Sequence, residues 1–393
     1  MKKAVTRIQK INGRVLLLVL FIFFFVIYFF SSAGNTPYDY FTRLASAFLE
    51  GKIAFSENPP WLNELIPAGQ GNYFVPYPPM PAILAMPFVL ILKNFPQQIL
   101  AHILGAGFAT TIAAIALKIR KDNLFAIWVG LFAGIGNIIW FMAANGSAWY
   151  LGQITAAFFM AAGILESVTK KRPLLVGIFL GGAYLARIHT LLALPIFIYL
   201  LRKELRGKVG MLEFAAGLTP FLGFNFAYNF ARFGVIWDKG YMLIPGVLEE
   251  PWYQKGILHI SYIPRHIKTM FASFPVFSDK APFIKPSWVG LSIWITSPAF
   301  LYVFKNKLKD KYVLFTWASI LLVSVPILTH GTTGFAQFGY RFALDFYPLL
   351  FFLVISGLVK EKLRWHHWTL LFLSILVNLW GVLWIHKFGW VSF

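Results

Sequence analysis

Val15–Phe30 reads VLLLVLFIFFFVIYFF, sixteen residues with no charge and no proline. With its neighbours to residue 32 it approaches the roughly 20 apolar residues that an α-helix needs to cross a hydrocarbon core. Further apolar runs follow along the chain, which is 58% hydrophobic and 18% aromatic but only 13% charged over 393 residues. A soluble fold could not bury so much Phe and Trp, so the repeated runs mark a polytopic helical membrane protein. The basic Met1–Arg14 start resembles a signal peptide. Its apolar run is too long for one, and SSAGNTPYD (31–39) is a weak cleavage site, so a retained anchor is expected.

Net charge is +20, which alone would suggest nucleic acid. The positions of the charges argue otherwise. Of 35 Lys and Arg, 22 lie in MKKAVTRIQKINGR and in five short loops: KIRK, KKR, RKELRGK, KNKLKDK and KEKLR. Short basic loops between spans follow the positive-inside rule and belong on the cytoplasmic face. No nucleic-acid partner is expected. The absence of cysteine excludes disulfides and thiolate chemistry.

Reading the apolar runs between those loops predicts spans near 15–32, 98–118, 124–142, 149–168, 174–186, 190–201, 210–231, 288–304, 312–330, 345–359 and 367–386. That is eleven spans in a single membrane domain, 1–393, with the N-terminus inside and the last eight residues outside. Pro78–Lys93 is apolar but short and broken by proline. Counting it as a span would move KIRK to the outer face, so a half-deep or interfacial helix is expected. The runs on either side of Arg187 are barely long enough to cross. Two long loops, 33–97 and 233–287, then fall on the outer side, together with a shorter one at 330–348. Loops this long usually carry function.

The first loop opens on a helical pattern. Phe41, Leu44, Ala45, Phe48 and Leu49 recur at helical spacing with Thr42, Arg43 and Ser46 opposite, and Gly51 is a natural stop. Such a helix lies along the membrane surface. Thr36-Pro37-Tyr38-Asp39 reads as N-cap, N1, N2 and N3, so Asp39 can serve as a helix cap or as a fixed catalytic base. Arg187 with His189 close by, and Arg341, sit at outer span ends. Each arginine can snorkel or pair with a carboxylate such as Asp345, or offer a fork of donors to a phosphate at headgroup level. Tyr77, Trp149 and Tyr150 lie near expected interfaces, where they serve an aromatic belt or stack on a sugar. Glu57, from the first outer loop, is grouped with them as substrate-contacting. No Walker A run, dinucleotide-binding glycine pattern, HExxH or Cys/His metal spacing is present. Stacked intramembrane acids of a proton-driven pump are missing too.

The order of YDYFTRLASAFLEG, NYFVPYPPMPAILAMPFV, NGSAWYLGQITAAFF, GGAYLARIHTLLALPIF and FGYRFALDFYP resembles the GT-C class of membrane glycosyltransferases. It is most like bacterial relatives of the dolichyl-phosphate-mannose protein mannosyltransferases, glycosyltransferase family 39. The resemblance spans most of the chain, and its specificity lies in the order of loose motifs. It implies an all-α GT-C-like bundle with juxtamembrane helices in the first outer loop. The implied activity is inverting transfer of a sugar from a polyprenyl-phosphate donor to a protein, lipid or glycan acceptor at the outer face of the cell membrane. Asp39 matches the loop-one aspartate base, and Arg187 and Arg341 match the cations near the donor phosphate, with His189, close to Arg187, grouped beside them as phosphate-binding. Many relatives carry a second acid beside that aspartate. Here the neighbours are Tyr38 and Tyr40, which leaves acceptor positioning and any divalent metal open. A lipid-linked glycan flippase or transporter, or a surface-glycan ligase or polymerase, would share part of this pattern.

Overall fold

A computed structural model describes residues 8–391. The expected cytoplasmic start at Lys2, Lys3 and Arg7, and the tail residues Ser392 and Phe393, lie outside the described residues. Secondary structure is almost entirely helical: among the described residues seven helices are long and apolar enough to span a bilayer, or eight if one bent pair is a single span. The protein is therefore an all-α, multi-pass membrane protein.

In chain order, α1 (Gly13–Ser31) leads to the short α2 (Tyr40–Leu49), a hairpin of β1 (Ile66–Gly69) and β2 (Asn72–Phe74), and α3 (Met80–Ile91). Then come α4 (Gln97–Ile119), α5 (Asn123–Gly134), α6 (Ile139–Asn145), α7 (Ala148–Val168) and α8 (Pro173–Ala186). A 3-10 turn at Ile188–Ala193 joins α9 (Leu194–Leu200), followed by α10 (Lys208–Phe233) and the loop helix α11 (Ile263–Ala272). A small hairpin, β3 (Val276–Phe277) with β4 (Ile284–Lys285), precedes α12 (Ile293–Thr296), α13 (Lys311–Leu328), α14 (Tyr347–Leu358) and α15 (Trp365–Gly381).

The core is built from α4, α7 and α14. In the Arg341–Leu358 span 83% of residues are buried, against 17% of the most apolar 18-residue window of Lys208–Phe233. Outer helices turn large apolar side chains outward, as α1 does with Leu18, Ile22, Phe23 and Phe30, a face suited to lipid rather than water. Buried polar groups find partners across helices: Tyr28 donates to the Gly134 carbonyl at 2.7 Å, and Asn378 to that of Thr296 at 2.6 Å.

Four expected spans come out short or broken. Pro173–Ala186 has 14 residues, and the following segment breaks into a 3-10 turn before seven helical residues. The run at 288–304 forms a four-residue helix, α12, and a 3-10 stretch, Pro298–Lys305, because Ser297-Pro298 interrupts the α-helical ladder. Within 124–142 the chain bends by 56° between α5 and α6. Helix α3, twelve residues long, reaches only about 18 Å.

The basic loops gather at one end of the bundle. Arg120 donates to the carbonyls of Leu358 and Glu361, Lys305 pairs with Glu361 at 2.8 Å, and Lys171 lies 4.0 Å from Glu204. The long loops meet at the other end, where Ile66, Ile244, Val247 and Tyr253 form a small apolar cluster of their own.

Candidate functional site

Three cavities line up at the loop end of the bundle, and Arg341 belongs to two of them. One, of about 270 Å³, is walled by Phe41, Pro78, Arg187, His189, Ile327 and Arg341. Another, of about 450 Å³, is more polar and includes Asn63, Glu64, Asn145, Tyr150, Glu250 and Arg341. Trp149 and Tyr241 also face both. The largest, about 940 Å³, is an outer cleft lined by Asp39, Arg43, Glu57 and Asn72.

Arg341 owes its position to the start of α7. Gln153 donates to its carbonyl at 3.0 Å, and Tyr150 donates to the Ala336 carbonyl at 3.1 Å, so one helix holds both ends of the preceding loop. Gly334 in that loop sits at φ +81, where an L side chain is strained, and a Cβ there would stand 3.0 Å from the Arg341 Nε. The guanidinium lies 4.9 Å from the Phe342 ring and 5.8 Å from that of Tyr150. Among the described residues no carboxylate lies within ion-pair distance of it, and its Nε has no partner. A half-buried, uncompensated guanidinium is a ready anion site.

Arg187 is different. It donates to Asp345 Oδ2 from Nη2 at 2.9 Å and from Nε at 3.2 Å, and His189 Nε2 lies 2.9 Å from the same oxygen. Asp345 is fully buried. Pairing between Arg341 and Asp345 does not form: residues Arg341–Phe346 wind as a 3-10 helix, in which positions four apart do not stack. Asp345 instead reaches across the bundle to fix Arg187.

Asp39 lines neither of the two cavities that hold Arg187 and Arg341. Asp39 is the N-cap residue of α2, not N3, and its side chain makes no capping bond. Helical spacing places Arg43 one turn on, and Asp39 Oδ1 accepts from its Nε at 2.8 Å. Arg43 also pairs with Glu57, whose side chain is largely exposed, so both acids face the outer cleft rather than the cavities of Arg187 and Arg341. Glu57 is thereby separated from Tyr77, Trp149 and Tyr150, which do line the inner cavities.

The acid beside Arg341 is Glu64, which the sequence reading passed over. Trp149 Nε1 donates to its carboxylate oxygens at 3.1 and 3.2 Å, and the Tyr77 hydroxyl donates to Oε2. Its backbone N–H donates to the Tyr40 hydroxyl at 3.2 Å. The β1–β2 hairpin anchors it from behind, turning through Gln70 and Gly71 at φ 51 and 73. Burial drives the Glu64 carboxyl up to about 7, with Trp149 and Arg341 pulling the other way and Glu250 adding to the rise. The signal for this arrangement was the Gly-Gln-Gly run at 69–71, which holds a two-residue hairpin turn, Gln70-Gly71, and begins three residues past the strand start at Ile66. A further acid, Asp238, faces the arginine cavity. Its Oδ1 accepts from the Gly240 N–H at 2.8 Å, and burial raises its carboxyl.

Among the described residues no three His, Asp or Glu side chains converge as a metal site requires. Comparison with protein-family models and with curated proteins finds no match for the chain.

Proposed function

We propose that this protein is a membrane glycosyltransferase of GT-C type that moves a sugar from a polyprenyl-phosphate donor to an acceptor hydroxyl at the outer face. The observation that carries the reading is Arg341, an uncompensated guanidinium forming the common wall of a mostly apolar and a polar cavity. A lipid-linked sugar needs that pairing: its prenyl chain stays in hydrocarbon, its phosphate needs a fixed cation, and its sugar must face a polar acceptor. Arg341 takes the phosphate, and Arg187, held by Asp345 with His189, lines the same cavity. Phosphate departs without a general acid, and fixed guanidinium donors stabilise the charge growing on it. Tyr77, Trp149 and Tyr150 flank the sugar.

The eleven-span GT-C arrangement belongs to this proposal, with Pro173–Ala186, Ile188–Leu200 and the broken 293–305 segment completing the count. So does placing the cavities on the non-cytoplasmic side, which follows from assigning the basic loops to the cytosol. The test is transfer from tritiated undecaprenyl-phosphate sugars by the purified chain in lipid nanodiscs. Arg341→Gln is expected to lower transfer by roughly 10²–10³, the loss typical of removing one charge-stabilising donor. An Arg341→Gln protein that transfers at the wild-type rate sinks the assignment.

A further inference from the structure

We infer that Glu64, not Asp39, takes the proton from the acceptor hydroxyl, and that the acceptor enters through the polar cavity which Glu64 shares with Arg341. This rests on the glycosyl-transfer reading above. A base must stand within reach of an acceptor that is itself beside the departing phosphate. Of the acids at the loop end, Asp39 and Glu57 are engaged with Arg43 in the outer cleft. Asp238 lines the arginine cavity, where it accepts from the Gly240 N–H and lies in the field of Arg232 rather than of Arg341. Glu250 lines the polar cavity, but no hydrogen bond or ion pair holds its carboxylate among the described contacts. Glu64 alone combines the Arg341 cavity with a fixed orientation. The indole of Trp149 and the hydroxyl of Tyr77 both donate to its carboxylate, leaving lone pairs free for one more donor.

In the step, the acceptor O–H proton passes to Glu64 as the acceptor oxygen bonds to the anomeric carbon. The bond from that carbon to the phosphate oxygen breaks, and its electron pair leaves with the polyprenyl phosphate beside Arg341. Charge and atoms balance: an alcohol and a phosphodiester become a glycoside and a phosphate monoester, with the proton on Glu64.

The groups facing Glu64 are Arg341, Glu250, Trp149 and the tyrosines 40, 77, 241 and 253. A base acts only when deprotonated, so turnover should rise with pH through about 7, the value to which burial lifts this carboxyl.

The experiment uses the full chain in nanodiscs, tritiated undecaprenyl-phosphate mannose, glucose, galactose and N-acetylglucosamine as donors, and water and octyl glucoside as acceptors. Expected for Glu64→Gln is a turnover roughly 10²–10⁴ below wild type, an unchanged donor KM and no acid limb. Thermal stabilisation of that variant by undecaprenyl phosphate, equal to that of wild type, shows the site is folded. Glu64→Asp should recover part of the rate with a displaced acid limb, and it decides the matter should the Gln variant not fold. The inference is overturned if Glu64→Gln turns over within threefold of wild type, if Glu64→Asp leaves the acid limb in place, or if Asp39→Asn or Asp238→Asn removes that limb while Glu64→Gln keeps it. Wild-type protein that transfers sugar from none of the donors overturns the glycosyltransferase reading itself.

Discussion

Arg341 and Arg187 are chemically identical side chains a few ångströms from the same ring, Phe342, yet they stand in opposite electrostatic states. Arg187 is neutralised by a fully buried carboxylate, whereas Arg341 is left open to the cavities. Substituting Asp345→Asn removes the partner of a buried pair and should destabilise the protein by about 3 kcal/mol, near the low end of such losses because Arg187 keeps some solvent contact. A thermal melt in detergent measures it, and an unchanged midpoint would show the pair to be dispensable. Gly334→Ala tests the opening around Arg341. The added Cβ meets Gln337 Oε1 at 2.6 Å and Arg341 Nε at 3.0 Å, in a backbone conformation that alanine resists. Misplacing the guanidinium should cut transfer by roughly 10–100-fold while the chain still folds. Transfer at the wild-type rate would mean that Arg341 has room to spare.

Among elements, the contact of α8 with α10 depends on the smallest residues. A Cβ on Gly177 would stand 2.3 Å from the Phe214 carbonyl oxygen, and one on Gly217 would stand 2.2 Å from that of Leu174. These are backbone obstacles that no rotamer change relieves, and they reflect the close helix approach that small residues permit inside a bilayer. Gly177→Leu should therefore force the two helices apart and cost roughly 1–3 kcal/mol, read as a lower melting midpoint and a broadened size-exclusion peak. Gly223 on the same α10 has no atom within 4 Å of a built Cβ, so Gly223→Leu should leave both readouts where they were. The β1–β2 hairpin is the other decisive element. Without its positive-φ turn at Gln70-Gly71, the Leu62–Leu65 segment that precedes it would have no fixed course beneath Tyr40 and Tyr77.

Across the whole molecule, the cross-links among the basic loops and the meeting of the long loops at the opposite end define two faces. Because the chain contains no cysteine, sidedness can be read with single-cysteine variants. Lys280→Cys in the second long loop should react with an impermeant maleimide added outside intact cells, and Lys170→Cys should react only after permeabilisation. The reverse pattern would invert the proposed topology. Membrane character, the major long spans and the grouping of the basic loops were legible in the linear chain, because hydrocarbon length and charge placement are local properties that a bilayer reads directly. The candidate arginines and aromatics were legible as well, as residue types at span ends. Which acid faces them was not. Asp39 is drawn to Arg43 by helical spacing, Asp345 to Arg187 across 158 positions, and Glu64 to Trp149 across 85. Sequence alone therefore determined that this chain lives in a membrane with its long loops on one face. Only the tertiary structure decided which carboxylate shares a cavity with the free guanidinium and which one neutralises Arg187, because both are settled by distance and desolvation in three dimensions, and neither is a property of position along the chain.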